Sequence, residues 1–229
     1  MGLLDGKVAV IAGAGPGLGR EVALAFGREG ATVVVAARTE DRVKALADEV
    51  AQTGATARAL RLDITDDESC RALADTVAGE FGGIDVLVNN AFHTGDFALF
   101  AEADLDRWRK VMDVNLFGTL RITQASLGAL RARPGGRVIL VNSMSAVRPQ
   151  PRFGAYTASK GALGAVAKVL AVELGAGRVH TFSLDTGDGV GAPVAGAQLD
   201  AEAFAALQSG SVDAAALSCK VRKLAQADH

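Results

Sequence analysis

The sequence is poor in the residues that build disulfide frameworks and metal centres. Its two cysteines, Cys70 and Cys219, and its three histidines, His93, His180 and His229, are scattered along 229 residues. Neither set has the spacing of a disulfide scaffold or a metal site, so the thiols are read as buried or half-buried groups in a reducing, cytoplasmic setting, and no metal is expected. Aromatic residues make up only 5%, with a single tryptophan and a single tyrosine. Charge of either sign is nearly balanced, 24 Lys and Arg against 26 Asp and Glu, and no basic block exists. A nucleic-acid surface is thereby disfavoured. Apolar runs such as Val33 to Ala37 are strand-length, too short to span a bilayer, so no membrane contact is expected. Met1-Gly2-Leu3-Leu4-Asp5-Gly6-Lys7 has no basic region followed by an apolar core, and no secretory leader is expected.

Apolar residues and glycine are plentiful, at 49% and 27 residues, the profile of an α/β domain rich in tight turns. Short apolar runs at Lys7 to Ala12 and Ala31 to Ala37 read as strands buried on both faces, and Ala57 to Leu62, Ile84 to Val88, Arg137 to Asn142 and Arg178 to Leu184 read as further strands. Helical patterns separate them at Arg20 to Glu29, Asp41 to Thr53, Glu68 to Phe81, Leu105 to Arg131 and from about Ala155 to Gly175. The fourth pattern is interrupted by weak helix formers around Asn115 and Gly118. Alternation of this kind predicts right-handed crossovers and a parallel sheet of six strands with helices on both faces, a doubly wound Rossmann fold. One domain is expected over 1–229, with an atypical segment at 185–229 that carries helical patterns at Leu199 to Leu207 and Ser211 to Leu224 and no convincing seventh strand.

The first strand runs straight into Gly13-Ala14-Gly15-Pro16-Gly17-Leu18-Gly19 and then a helix. Glycines at such a turn let backbone N–H groups approach a diphosphate, which also meets the helix N-terminus; the alternative is a tight turn without a ligand. The second strand ends in Ala36-Ala37-Arg38-Thr39. No carboxylate is there to hold ribose hydroxyls, while Arg38 could meet a 2′-phosphate, so NADP(H) is favoured over NAD(H). Asp63, with Ile64 beside it, could accept from an adenine amino group or serve as a helix cap.

Tyr156 and Lys160 are four residues apart in a helical pattern and so share one face. A cation on the order of 5 Å from a phenol, at an effective dielectric near 20, favours the phenolate by roughly two pKa units. A tyrosine so tuned could exchange a proton with an alcohol or carbonyl.

Together these residues resemble the short-chain dehydrogenase/reductases of the classical type. Gly13-xxx-Gly17-x-Gly19 matches the family's cofactor turn, and Asn89-Asn90-Ala91 its fourth-strand signature, with Phe92 where glycine is usual. Asn115 matches its helix asparagine, Ser143 stands thirteen residues before Tyr156, and Tyr156-xxx-Lys160 matches the catalytic pair. The resemblance covers Lys7 to about Leu184. It implies that Tyr156 is general acid or base, that Lys160 lowers its pKa and holds the nicotinamide ribose, and that Ser143 binds the substrate carbonyl. Asn115 would distort its helix and hold a water linking Lys160 to solvent. Asn90, Ala91 and Gly187 would join the cofactor set. The implied activity is reversible hydride transfer between NADP(H) and a small-molecule carbonyl or secondary alcohol, in a homodimer or homotetramer built on Leu105–Arg131 and Tyr156–Gly175.

Asp185-Thr186-Gly187-Asp188-Gly189-Val190 departs from the family, with Thr186 in the usual place of proline. That segment supports an alternative, a non-catalytic or weakly active NADP(H)-binding sensor or assembly protein. Phe92 is expected to narrow the nicotinamide side. His93 could face substrate or solvent, Met144 and Gln150 could line the substrate pocket, and Trp108 is read as a packing residue.

Overall fold

The computed structural model describes residues 2–175 and 178–184. The expectations for Gly187, for Cys219 and for the segment 185–229, including its helices and the missing seventh strand, lie outside those residues. The chain runs β1 (Val8–Ala12), α1 (Leu18–Arg28), β2 (Thr32–Ala37), α2 (Glu40–Ala51), β3 (Ala57–Arg61), α3 (Asp67–Phe81), β4 (Val86–Asn89), α4 (Leu105–Met112), α5 (Thr119–Arg131), β5 (Arg137–Ser143), α6 (Gly154–Leu174) and β6 (Val179–Leu184). All six expected strands form, in the order β3-β2-β1-β4-β5-β6, and every neighbouring pair is parallel.

Alternation along the strands splits the core in two. Ala9, Ile11, Val33 and Val35 point to one face, where Phe26 of α1 and Val43 and Val50 of α2 cover them. Val8, Val10, Val34 and Leu87 point to the other, under Leu73 of α3, Ile122 of α5 and Leu163 of α6. Because successive side chains of a strand face opposite ways, a sheet covered on both sides needs apolar residues at every position. The strand order reverses direction between β1 and β4. A crevice opens there, beyond the carboxyl ends of the strands, where such sheets bind ligands.

The expected break in the long helix is present. Asp113–Gly118 forms a π-helical turn between α4 and α5. Gly118 lies there because a Cβ would come within 2.8 Å of the Ile64 side chain. One local expectation is refined: the cap of α3 is Asp66, which accepts from Glu68 N, while Asp63 closes its own turn by accepting from Thr65 N at 3.0 Å and Thr65 Oγ1 at 2.7 Å.

Candidate active site

The first half of the site is a cleft of about 340 Å³ at the switch point. Gly13, Gly15, Pro16, Arg38, Thr39, Asp63, Ile64, Asn90 and Ala91 all line it, so residues from four separate loops are brought together as expected. Gly13 sits at φ +91°, and a Cβ there would lie 2.3 Å from Ala91 N. Only glycine accommodates both the backbone conformation and the approach. Asn90 Nδ2 donates to Gly13 O at 2.7 Å and pins the turn to the end of β4. A Cβ on Gly15 would meet nothing within 4 Å, which leaves the backbone open to a ligand. Gly17, Leu18 and Gly19 do not line the cleft. Gly17, at φ +98°, precedes the first turn of α1, Leu18 packs on the core, and Gly19 is buried against Gly13 O.

Sequence reasoning missed Arg42, which lines the same cleft one turn after Arg38. Its signal was the i, i+4 spacing of two arginines across the start of α2. Both guanidiniums are exposed and form no ion pair among the described residues. Hydrogen bonds from Thr65 hold the Asp63 carboxyl below the usual range, with Arg38 and Arg61 adding smaller contributions. An open glycine backbone beside two uncommitted cations is the donor set that a phosphorylated dinucleotide requires.

The second half is a cluster at the ends of β4 and β5 and the start of α6. Tyr156 and Lys160 do share one face, with Lys160 Nζ 5.7 Å from the phenol ring centre. Ser143, the last residue of β5, stands close enough to the phenol to favour its ionised form, and its hydroxyl lies 2.9 Å from Ser145 Oγ. Phe92 and Val114 line the cleft as well, and Phe92 bridges to the cluster by standing edge-on to Tyr156, ring centres 6.5 Å apart.

The electrostatics differ from expectation. Lys160 was expected to pull the phenol down. Instead burial holds Tyr156 above its usual value, opposed only by Ser143. Lys160 is itself 3% exposed, and desolvation lowers its pKa to about 8. Its Nζ donates to Val141 O at 2.7 Å rather than to the phenol oxygen. A cation acting through an effective dielectric of about 20 would dominate, whereas the fold half-buries the phenol and buries the ammonium, and loss of water disfavours each charged form.

Asn115 is fully buried, and its amide forms a clamp. Its Oδ1 accepts from His93 N at 2.6 Å, and its Nδ2 donates to His93 O at 2.9 Å and to Ser159 Oγ at 3.0 Å. Ser159 in turn donates to Tyr156 O at 2.7 Å. The two N–H groups of Asn115 are thus committed, and the side chain ties the loop after β4 to the turn that carries Tyr156. His93 accepts at Nδ1 from Gly95 N at 2.8 Å, which occupies one of its ring nitrogens. Trp108 packs as expected: its ring lies where a Cβ on Gly154 would come within 2.5 Å.

This geometry has relatives. The model of the short chain dehydrogenase family matches residues 7–226. A short chain dehydrogenase of Pseudocercospora fijiensis is 38% identical over 187 residues, which is 81% of this chain and 60% of that protein's length. A short chain dehydrogenase of Escherichia coli CFT073 solved with NADPH superposes with a TM-score of 0.74 at 31% identity, covering 80% of this chain and 77% of that one. A 7alpha-hydroxysteroid dehydrogenase solved with NADH and 7-oxo glycochenodeoxycholic acid gives 0.73 at 32% identity, covering 79% and 70%. A glycine cradle at the β1–β4 switch point, a half-buried tyrosine and a buried lysine beside it, and a family match over nearly the whole sequence agree: the chain belongs to the short chain dehydrogenase family.

Proposed function

We propose that this protein is an NADP(H)-dependent oxidoreductase that interconverts a carbonyl compound and a secondary alcohol. The observation that carries the reading is the Tyr156 phenol beside Ser143, with Lys160 one helical turn away and the glycine cleft adjoining. The cofactor, when bound, supplies or accepts a hydride. The chain's own residues do the rest. Gly13, Gly15 and Pro16 present backbone to the diphosphate, Asp63 and Ile64 border the adenine, and Arg38 and Arg42 meet the 2′-phosphate. Ser143 holds the substrate oxygen, which fixes the reacting carbon. In reduction, the Tyr156 hydroxyl gives its proton to that oxygen; in oxidation, the phenolate takes it back. Burial suits the first role, because it keeps the phenol protonated at neutral pH. Lys160 stands where it can favour the phenolate once it leaves Val141 O, and Asn115 positions the turn.

The relatives support a nicotinamide cofactor without choosing one, since NADPH accompanies one structure and NADH another. The choice of NADP(H) rests on Arg38 and Arg42. No helix among the described residues is long and apolar enough to cross a membrane.

Tyr156→Phe tests the reading. Reduction of a ketone panel with NADPH should fall at least about a hundredfold, while NADPH affinity measured by calorimetry stays within about twofold. Equal turnover in the variant would remove Tyr156 from the mechanism. A wild type that binds NADPH yet turns over no carbonyl or alcohol would point instead to the sensor role.

A further inference from the structure

Aromatic residues are scarce in this chain, yet they gather at one corner. Four of the nine phenylalanines, together with the sole tryptophan and the sole tyrosine, meet at the first turn of α6. The segment after β4 supplies three of them. Phe92 stands edge-on to Tyr156. Phe97 lies 4.8 Å from Phe153, three residues before Tyr156. Phe100 stands edge-on to Trp108, ring centres 6.0 Å apart, and Trp108 packs on Gly154, two residues before Tyr156. These three rings are not core residues: Phe92 is 57% exposed, Phe97 44% and Phe100 78%. Contiguous exposed apolar surface marks a binding face when it adjoins a convergent polar group.

Charge at this corner is already committed. Asp96 pairs with Arg107 at 2.9 Å, and Arg152 donates to Phe97 O at 3.4 Å. His93 Nδ1 is held by Gly95 N. The hydrogen-bonding groups that point at a reacting oxygen are the uncharged hydroxyls of Ser143 and Tyr156. A charged or polyhydroxylated substrate would meet rings where it needs partners, and unmet polar groups are costly to bury. A ring-bearing apolar molecule would cover the phenylalanines and offer one oxygen to the hydroxyl pair.

We propose that the substrate is an uncharged, bulky apolar carbonyl compound or its secondary alcohol, carried on an alicyclic or aryl frame, and that Phe92 is its principal specificity-determining residue. Phe92 has this role because its ring both stands edge-on to Tyr156 and lines the cofactor cleft, so it forms a wall shared by substrate and cofactor. The inference takes from the proposed function only the location of the reacting oxygen at Tyr156.

The test is binding without turnover. Wild type is titrated calorimetrically with 2-decalone, a bicyclic apolar ketone, and with hydroxyacetone, a small polar one, in the presence and absence of NADP⁺. A ketone and the oxidised cofactor cannot react together. Decalone is expected to bind at least about tenfold more tightly, a difference of about 1.4 kcal/mol. In Phe92→Ala its advantage over hydroxyacetone should fall about tenfold, and in Phe92→Leu, which keeps the apolar character and loses the ring, by a smaller factor. Phe97→Ala gives a second reading of the same wall should the Phe92 variants fail to fold. Equal affinity for the two ketones, no binding of decalone, or an advantage that survives the loss of both rings would overturn the proposal. Decalone that binds as expected but is never reduced with NADPH would sink the oxidoreductase reading alone. Reduction of ketones without preference would sink this one alone.

Discussion

Lys160 carries the sharpest consequence at the scale of single residues. Its folded pKa of about 8 is below the ordinary 10.5. Above about pH 10.5 the ammonium is neutral in both folded and unfolded chains, and its burial costs nothing. As pH falls from there toward 8 the unfolded chain takes up the proton first, and the folded state loses roughly 3 kcal/mol of relative stability. The difference in unfolding free energy between wild type and Lys160→Met, followed by urea denaturation from pH 7 to 10.5, should therefore move in favour of wild type as pH rises. A flat difference would mean that Nζ is solvated. Arg38 gives a second test. Arg38→Asp should reverse the cofactor preference, weakening NADPH by about tenfold or more and improving NADH, because a carboxylate repels a 2′-phosphate and accepts from ribose hydroxyls. If the preference is the same before and after, the phosphate role moves to Arg42 or lapses. Arg38 was legible in the sequence because strand ends are easily located. Arg42 was not, since only the path of α2 turns an exposed helical arginine toward the cleft.

At the scale of elements, the π-helical turn at Asp113–Gly118 does what a regular helix could not. It sets Asn115 to face the loop after β4, where one amide satisfies both backbone groups of His93 and reaches Ser159. Asn115→Ala leaves both part-buried backbone groups of His93 without this partner, while Ser159 keeps its bond to Tyr156 O, and each orphaned group costs about 1–3 kcal/mol. A loss of about 3 kcal/mol in urea unfolding is expected. Asn89→Ala should cost less, because Asn89 makes one side-chain hydrogen bond, to Thr123 Oγ1, and its own Oδ1 has no partner. The reverse ranking would show that the clamp adds little. The sequence located this irregularity, because weak helix formers cluster there. It did not reveal the clamp, since His93 and Ser159 lie 22 and 44 residues from Asn115 and meet it only through the sheet.

At the scale of the whole molecule, apolar side chains remain uncovered along the outer helices. Leu105 and Phe117 are exposed on the α4–α5 stretch, and Val169 and Val172 on α6. A chain that leaves such positions bare commonly covers them with a second copy. Size-exclusion chromatography with light scattering at micromolar concentration should give a dimer or tetramer, and Phe117→Glu with Val172→Glu should shift it to smaller species. A monomer across the concentration range would leave those faces without that role.

The sequence by itself determined the elements and their order. The buried positions of β1 and β2 are apolar throughout, helices show their period, and glycine holds the positive-φ turns, Arg152 excepted. The same local rules placed the glycine turn, Tyr156 and Lys160, and the family resemblance added Ser143. Tertiary structure alone decided the state of those groups. Whether a phenol is raised or lowered depends on how much water the fold removes and on where Lys160 Nζ finds its acceptor. Neither quantity exists until β5 and α6 pack together. The same packing gathers the few aromatic rings of a ring-poor chain beside one tyrosine, because Phe92, Phe97, Phe100 and Phe153 become neighbours only when the loop after β4 folds over the start of α6.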